Sequence, residues 1–327
     1  MNARLTRRAL LDALVCSSFA GLCGTNAGAV ERAGHVLRMI VPQAPGGAAD
    51  FMARMLVDSL ARSLGRPVMV DNRPGGGTIV GTLAVAMAAP DGNTFGMVLS
   101  PHAINQAMRQ HMPYDVLTDF ESLCLGGYSI VALVAHPSFA ADSVAQLIDL
   151  ARHTDPPLQY ASLGVGSVSH LAGELFAIEA DVALAHVPYN GSVQVYRGLV
   201  SRDLPLAFVT LESALPHIRD QRLKVLGVTN ARRAARFPGI PAIAESLPGF
   251  ELVGFFGFVA AAGTPPKIID TLGAAIARTL QTPRLRESLA DDGVVISAAP
   301  AKAFDAFLRE EVDKYAALSK RTGVRLD

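Results

Sequence analysis

Cysteine is scarce in this chain. Three occur among 327 residues, and two of them, Cys16 and Cys23, lie near the N-terminus. Once a signal peptide is removed only Cys124 is left, so no internal disulfide can form and the fold must rely on its core. The eight His residues are scattered, and no His-x-x-x-His or Cys-x-x-Cys pair occurs. The sequence therefore gives no support to a metal site, and we expect no cofactor.

Catalytic signatures are missing as well. A Ser-His-acid hydrolase usually carries its nucleophile in Gly-x-Ser-x-Gly, and no such pentapeptide occurs. Ser167 and His170 lie three residues apart, without an evident carboxylate to orient the histidine. Residues 164–169 resemble a dinucleotide-binding loop, but the next strand ends in Pro-Tyr-Asn where an acidic residue is required. We therefore predict that the protein is not an enzyme.

Neither sign of charge dominates the composition. The chain has 29 basic and 29 acidic residues, and removal of residues 1–29 takes away three Arg and one Asp, which leaves a net charge near −2. Binding to nucleic acid or to an anionic membrane surface usually requires a basic excess. Neither partner is expected.

The N-terminus predicts export. Arg4, Arg7 and Arg8 precede an apolar run over residues 9–23, and a site of small residues ends at Ala29. This order is typical of a secretory signal peptide, here cleaved near Ala29, and the run is too short for a membrane helix. The mature chain is then periplasmic. The arginine pair leaves Sec and twin-arginine export both open.

Short β-rich runs alternate with amphipathic helical runs, which predicts an α/β fold with mainly parallel sheets. The predicted strands span residues 37–41, 67–70, 94–99, 158–161, 184–187, 204–208 and 224–228, with a long extended segment at 121–135 and an apolar strand from 255. The predicted helices span residues 50–64, 79–88, 144–153, 170–180, 193–200, 212–220, 268–280 and 303–318.

Two sets of αβ units predict two lobes, each an α/β sandwich. After a signal peptide at 1–29, we assign residues 30–130 and 250–327 to lobe 1 and residues 131–249 to lobe 2. The tail after the strand near 255 is expected to contain only helices, which would return to cover lobe 1. The chain would then cross between the lobes twice, and two crossings make a hinge.

Three Gly-rich loops follow predicted strands and precede helices, at residues 42–50, 161–170 and 187–192. Helix N-termini at such loops present unpaired N–H groups and the positive end of the helix dipole, which suits an anion. A turn or capping role remains the alternative for each polar residue. The predicted ligand contacts are Gln43, Gly46, Gly47, Asp50, Ser100, His102, Ser167, Ser169, His170, Asn190 and Thr210. Arg73, in a loop at the end of a strand, is by its position the best candidate for a positively charged side chain near the ligand.

A resemblance to a known family covers nearly all of the mature chain. It is carried by segments that include Ile40-Val41-Pro42 with Pro45-Gly46-Gly47, Asp71-Asn72-Arg73-Pro74-Gly75, His102-Ala103-Ile104-Asn105, Tyr160-Ala161-Ser162, Ser169-His170-Leu171-Ala172-Gly173-Glu174 and His186-Val187-Pro188-Tyr189. In these segments the chain resembles the Bug family, the extracytoplasmic solute-binding receptors of tripartite tricarboxylate transporters.

The resemblance implies a two-lobed periplasmic binding protein of the Venus flytrap, type II-like class. Such a protein closes by hinge motion on an organic acid or acidic amino acid, as a monomer, and delivers it to integral-membrane permease subunits. A signalling sensor is the alternative partner. In this family the carboxylate is held by backbone N–H groups, loop hydroxyls and water, which maps onto Ser167, Ser169 and the Gly46-Gly47 turn. Gln43, Ser167 and Asn190 depart from the usual residues, which leaves the ligand open.

Overall fold

The computed structural model describes residues 36–189 and 191–326. In chain order the strands are β1 (Leu37–Val41), β2 (Val68–Asn72), β3 (Thr94–Leu99), β4 (Phe120–Ser129), β5 (Val131–Ala135), β6 (Leu158–Ser162), β7 (Leu184–Pro188), β8 (Leu206–Thr210), β9 (Lys224–Val228), β10 (Gly254–Ala261) and β11 (Val294–Pro300). The predicted signal peptide and Asn190 lie outside the described residues.

The α-helices alternate with these strands. They are α1 (Ala48–Leu64), α2 (Ile79–Ala86), α3 (Pro101–Met108), α4 (Val144–Arg152), α5 (Val168–Ala180), α6 (Ser192–Ser201), α7 (Leu211–Arg219), α8 (Pro266–Leu280), α9 (Pro283–Asp291) and α10 (Ala301–Thr322). Short 3₁₀ turns occupy Gly76–Thr78 and Ile243–Glu245. The helices and strands predicted above are confirmed, with ends that differ by a few residues.

The first sheet has six strands in the order β11-β4-β10-β3-β1-β2. β1 pairs in parallel with β2 and β3, whereas β10 is antiparallel to both β3 and β4, and β11 is antiparallel to β4. Four of the six strands therefore point the same way. The predicted parallel pairing is found among β1, β2 and β3, and the sheet is mixed because the C-terminal strands β10 and β11 enter it antiparallel.

Strand β11 corrects the expectation that the tail contains only helices after β10. Its sequence, Val-Val-Ile-Ser-Ala-Ala-Pro, has only a weak alternation of apolar and polar residues. The strand lies at the sheet edge, and its pairing with β4 shifts register between Ile296 and Ala299. An interrupted edge strand buries only part of its side chains, so its periodic signal is faint. Helix α3 was likewise not predicted.

The second sheet has five strands in the order β7-β6-β8-β5-β9. β6 pairs in parallel with β7 and β8, and β5 is antiparallel to β8 and β9. Both sheets are covered on two faces. Helices α1, α8 and α9 pack on one face of the first sheet and α2, α3 and α10 on the other; α4 and α5 pack on one face of the second sheet and α6 and α7 on the other.

The chain crosses between the sheets at two places in the described residues. Ile130 alone separates β4 from β5, and residues 229–253 connect β9 to β10. Thr229 begins the second crossing, and its N–H donates at 2.9 Å to the carbonyl of Val131, which directly follows the first. The Thr229 hydroxyl donates at 2.5 Å to Leu252 O, near the other end of the second crossing. Thr229 is fully buried. The two connecting segments are therefore held side by side by one residue.

The tail returns to the first sheet, as predicted. Helix α10 packs on α3 and β4 and also touches α5 of the second sheet's layer. Beyond α10, Leu326 N–H donates to Met108 O at 3.1 Å. The Leu326 side chain lies against Gly166, where an added Cβ would come within 2.7 Å of Leu326 Cδ1. The tail thus contacts the second Gly-rich loop directly.

Thr229→Val is expected to lower the free energy of unfolding by about 1 to 3 kcal/mol, because the shape of the side chain is kept while the buried Leu252 carbonyl loses its donor. Denaturant titration measures the difference. Thr271→Val is the matched control, since the Thr271 hydroxyl donates to Lys267 O at an exposed site on α8. Equal losses in the two variants would contradict a special role for the crossing.

Candidate ligand-binding site

The candidate site lies between the carboxyl-end edges of the two sheets. In the first sheet the ends of β1, β2 and β3 share an edge with Ser129, the last residue of β4; in the second, the ends of β6, β7 and β8 share an edge with Val131, the first residue of β5. Because only Ile130 separates Ser129 from Val131, these edges lie next to each other. The N-termini of α1, α3, α5, α6 and α7 all follow strands that end there.

The first loop is shaped by a buried carboxylate. Asp50 Oδ2 accepts the Gly46 N–H at 2.8 Å and the Arg54 Nε–H at 2.9 Å. The Arg54 and Gly46 hydrogen bonds hold the pKa of Asp50 at about 2 although the residue is buried, with 3% of its surface exposed. Gly46 has φ +82°, a backbone conformation that favours glycine. The ionised Asp50 carboxylate therefore orders this loop and already accepts one of its backbone N–H groups, that of Gly46.

Side chains around Asp50 complete the first loop. Gln43 Oε1 accepts the Ala49 N–H at 3.3 Å, and the Gln43 carbonyl accepts from Asn72 Nδ2 at 3.1 Å. Asn72 Oδ1 in turn accepts from Arg54 Nη2 at 3.2 Å. The predicted residues Gln43, Gly46, Gly47 and Asp50 are thus brought together, and Arg54 and Asn72, which the sequence analysis did not assign to the site, hold them.

The second loop, between β6 and α5, is closed by two serine hydroxyls. Ser167 Oγ donates to Gly164 O at 2.6 Å and accepts the His170 N–H at 3.2 Å, which makes Ser167 the N-cap of α5. Ser169 Oγ accepts the Leu163 N–H at 2.9 Å and lies 2.9 Å from Ser167 Oγ. The capping alternative is therefore what the structure shows for Ser167, and both hydroxyls are used within the loop.

Two stacked histidines, His170 and His186, form hydrogen bonds with groups of this loop. The rings of His170 and His186 lie 4.0 Å apart, and His170 Nδ1 accepts the Gly166 N–H at 3.2 Å. His186 Nε2 lies 2.7 Å from Ser162 Oγ, which also accepts the Gly164 N–H at 3.1 Å. Burial lowers the pKa of each histidine to about 4. Neutral imidazoles are required here, because a protonated His170 could no longer accept from Gly166.

Tyr160 and Glu174 extend the same network. Tyr160 OH donates to Glu174 Oε1 at 2.6 Å and lies 3.1 Å from the His170 carbonyl. Glu174 Oε1 is 3.7 Å from His170 Nε2. Ser162 and His186 are not among the ligand contacts predicted from the sequence. Their contact arises only when β6 and β7 pair in parallel, with Tyr160 opposite His186, and no local pattern in the sequence shows that pairing.

Helix N-termini supply the unused donors of the site. The N–H groups of Val168 and Ser169, in the first turn of α5, have no acceptor in the described part of the chain, and the same holds for Ala48 at the start of α1. Such groups carry the positive end of the helix dipole and bind carboxylate or phosphate oxygens. The arrangement can therefore hold an anion through backbone donors.

The remaining predicted contacts are placed less favourably for a ligand. Ser100 Oγ accepts the Phe255 N–H at 2.8 Å and is buried. His102 is fully buried, and its ring packs edge-on against Phe120. Thr210 precedes α7, where its hydroxyl lies 2.9 Å from Ser213 Oγ. Arg73 is engaged by Asp71 at 3.0 Å, so the candidate cation of the site is already paired.

Neither a metal centre nor a membrane span is found in residues 36–189 and 191–326. These residues contain no group of three or more His, Cys, Asp or Glu side chains placed to hold a metal ion. None of their helices is both long and apolar enough to cross a bilayer.

Acid is expected to destabilise the protein through the histidine pair. Because the folded pKa of His170 is about 4, below its ordinary value of 6.5, the unfolded chain binds a proton in this window that the folded chain does not. Stability is full above about pH 6.5 and falls as the pH is lowered to about 4. Denaturant titrations at several pH values should show a smaller fall in His170→Gln. The exposed control His111→Gln should match the wild type; an unchanged slope in His170→Gln would contradict this account.

Comparisons with known proteins agree with the geometry. The family model described as "Tripartite tricarboxylate transporter family receptor" matches residues 52–324. BugT of Bordetella pertussis is 34% identical over 297 residues, which cover 89% of this chain and 90% of BugT. The solved structure of R. palustris Rpa4515 with adipate matches with a TM-score of 0.79 at 29% identity, over 88% of this chain and 97% of that one. MatC from Rhodopseudomonas palustris with bound malate matches with a TM-score of 0.76 at 27% identity, over 86% and 98%. The chain belongs to the tripartite tricarboxylate transporter receptor family, in agreement with the Bug-family resemblance of its sequence.

Proposed function

We propose that this protein is a non-catalytic periplasmic receptor that binds a small dicarboxylate between its two lobes and delivers it to the membrane subunits of a tripartite tricarboxylate-type transporter. The observation that carries the proposal is the set of unpaired N–H groups at the N-termini of α1 and α5, on facing edges of the two sheets. A ligand with a carboxylate at each end can use one donor set on each lobe. Adipate and malate, bound in the two similar structures, both have this form.

Hinge closure follows from the two crossings. We assign lobe 1 to residues 30–130 and 250–327 and lobe 2 to residues 131–249, after export and cleavage near Ala29, and we expect a monomer. In the closed form water is excluded from between the edges, so each N–H to carboxylate hydrogen bond strengthens. The ligand shifts the population toward closure only through contacts that the open form does not make.

Specificity then depends on loop shape rather than on a dedicated cation. Arg73 is paired with Asp71, and the ionised Asp50 carboxylate lies within the first loop. An anion therefore binds only where its attraction to the backbone N–H groups exceeds its repulsion from the Asp50 carboxylate. The loops that hold these donors, rather than a single arginine, decide which carboxylate fits.

A thermal-shift screen of the mature protein against carboxylates, amino acids, sugars and nucleotides tests the proposal. We expect a rise in melting temperature with dicarboxylates such as malate and adipate, since a ligand of the folded state alone stabilises it. Calorimetry should show saturable binding without turnover. Silence from every carboxylate together with a response to a sugar or a nucleotide would contradict the proposal. A sensor is the alternative partner. Deletion of the gene for this receptor separates the two: loss of dicarboxylate uptake supports the transporter, whereas loss of a ligand response with uptake unchanged supports the sensor.

Ser167→Ala is expected to weaken dicarboxylate affinity by about 1 to 3 kcal/mol and stability by about 0.5 to 2 kcal/mol. The substitution removes the cap that holds the second loop, so its free N–H groups lose their alignment. Calorimetry and denaturant titration measure the two losses, and Ser167→Thr should retain both quantities.

Ser143→Ala is the matched control for this prediction. Ser143 caps α4 by accepting the Gln146 N–H at 3.2 Å, but α4 follows the end of β5 at the opposite edge of the second sheet. This variant should lose stability and keep its affinity. If Ser167→Ala also kept its affinity, the second loop would not form part of the site.

A further inference from the structure

The two halves of lobe 2 carry opposite charge. Residues 141–190 contain one Arg against six Asp and Glu, whereas residues 191–240 contain eight Arg and Lys against three Asp and Glu. The fold separates the helices of these two segments, because α4 and α5 pack on one face of the second sheet and α6 and α7 on the other. Lys224 lies in β9, and residues 229–240 lie in the second crossing. The α6–α7 face carries Arg197, Arg202, Arg219 and Arg222, together with the acidic residues Asp203, Glu212 and Asp220.

Much of the basic charge of residues 191–240 is not neutralised by the protein itself. Lys224 pairs with Asp142 at 2.5 Å and Arg233 with Glu245 at 2.7 Å, and Arg236 pairs with Asp291. By contrast, no ion pair to a carboxylate of the described residues is made by Arg197, Arg202, Arg219 and Arg222, all of which are exposed. These four guanidinium groups are available to an external anion.

A cavity of about 380 Å³ lies between α6 and α7 on the same face. Its apolar lining comes from Val193, Tyr196 and Val200, and Val193 is 72% exposed. The Tyr196 ring packs on His217 at 4.4 Å, and its hydroxyl lies 2.5 Å from Ser213 Oγ, so the aromatic wall is fixed in place. The cavity can take one apolar side chain without rearrangement.

Basic side chains lie in and around that cavity, which favours a negatively charged partner. Arg197 and Arg222 line the cavity itself. Arg202 directly follows the end of α6, and Arg219 is in the last turn of α7. The charge therefore extends beyond a space that one small molecule could fill, which favours a chain with several carboxylates. A bilayer surface is less suited, because it would need protruding apolar side chains rather than a recess.

We propose that the cavity between α6 and α7, with the arginines around it, is a docking surface for an acidic segment of a partner protein. One apolar side chain of that segment enters the cavity. Its carboxylates bind Arg197, Arg202, Arg219 and Arg222. The docking surface rests on the proposed function in one respect, that a receptor delivers its ligand to a partner. The C-terminal ends of α6 and α7 point away from the ligand-binding edge. Arg202 and Arg219 therefore lie away from that edge, whereas Val193 lies in the first turn of α6, next to it.

Fluorescence anisotropy with labelled heptapeptides tests this surface. The probes carry three Glu or Asp on each side of a central Leu, Ile, Phe or Met, and the matched probes carry Lys in place of the acids. We expect saturable binding of acidic probes to the full mature protein, weakened by salt, and no binding of basic probes. The double variant Arg197→Glu/Arg222→Glu should bind at least about tenfold more weakly.

Matched controls keep the result specific. The Arg284→Glu/Arg309→Glu variant makes the same charge change at exposed sites of lobe 1 and should bind like the wild type. Val193→Ser should weaken binding several-fold, whereas Val80→Ser, at an exposed site on α2, should not. Dicarboxylate binding by the Arg197→Glu/Arg222→Glu variant shows that it is folded.

Three outcomes would overturn the proposal: no acidic probe binds, the two double variants bind equally, or vesicles containing phosphatidylglycerol bind while no peptide does. If no carboxylate raised the melting temperature but the acidic peptides still bound, the proposed ligand would be wrong and the docking surface would stand.

Discussion

The position of the two chain crossings is the constraint on which the other features depend. Because β4 ends and β5 begins at the carboxyl-end edges of their sheets, with one residue between them, the two sets of strand-to-helix loops have to lie next to each other. Thr229 then holds the second crossing against the first. The proposed hinge and the proposed ligand site therefore lie at the same place in the molecule.

In the proposed site the unpaired donors are backbone N–H groups, whereas the side chains shape the loops. Asp50 fixes the first loop, and Ser167 with His170 fixes the second. The histidines have to stay neutral for this purpose, which burial ensures by lowering their pKa to about 4. Preorganised N–H groups need no side-chain ordering when the ligand arrives, so less of the binding free energy is lost to entropy.

The sequence predicts much of this fold because its helices and most of its strands have strong periodic signals. It also places the loops correctly, since Gly-rich segments follow buried strands. The sequence does not predict β11, because this edge strand is interrupted and its alternation of apolar and polar residues is weak. It does not predict α3 either, because that helix is short and begins at a proline, Pro101. The roles of single side chains depend on pairing between distant strands. His186 supports the second loop only because β6 and β7 are in register, and His102 is enclosed because Tyr114 and Phe120 return to cover it.

Hinge closure around a carboxylate is the central claim, and small-angle X-ray scattering of the mature protein with and without saturating adipate or malate tests it most directly. Closure brings the two lobes together, so the radius of gyration should fall when the ligand binds, and Ser167→Ala should need more ligand to reach the same compact form. A radius of gyration that stays constant at concentrations where calorimetry shows saturation would contradict the account, because the ligand would then bind without drawing the two edges together.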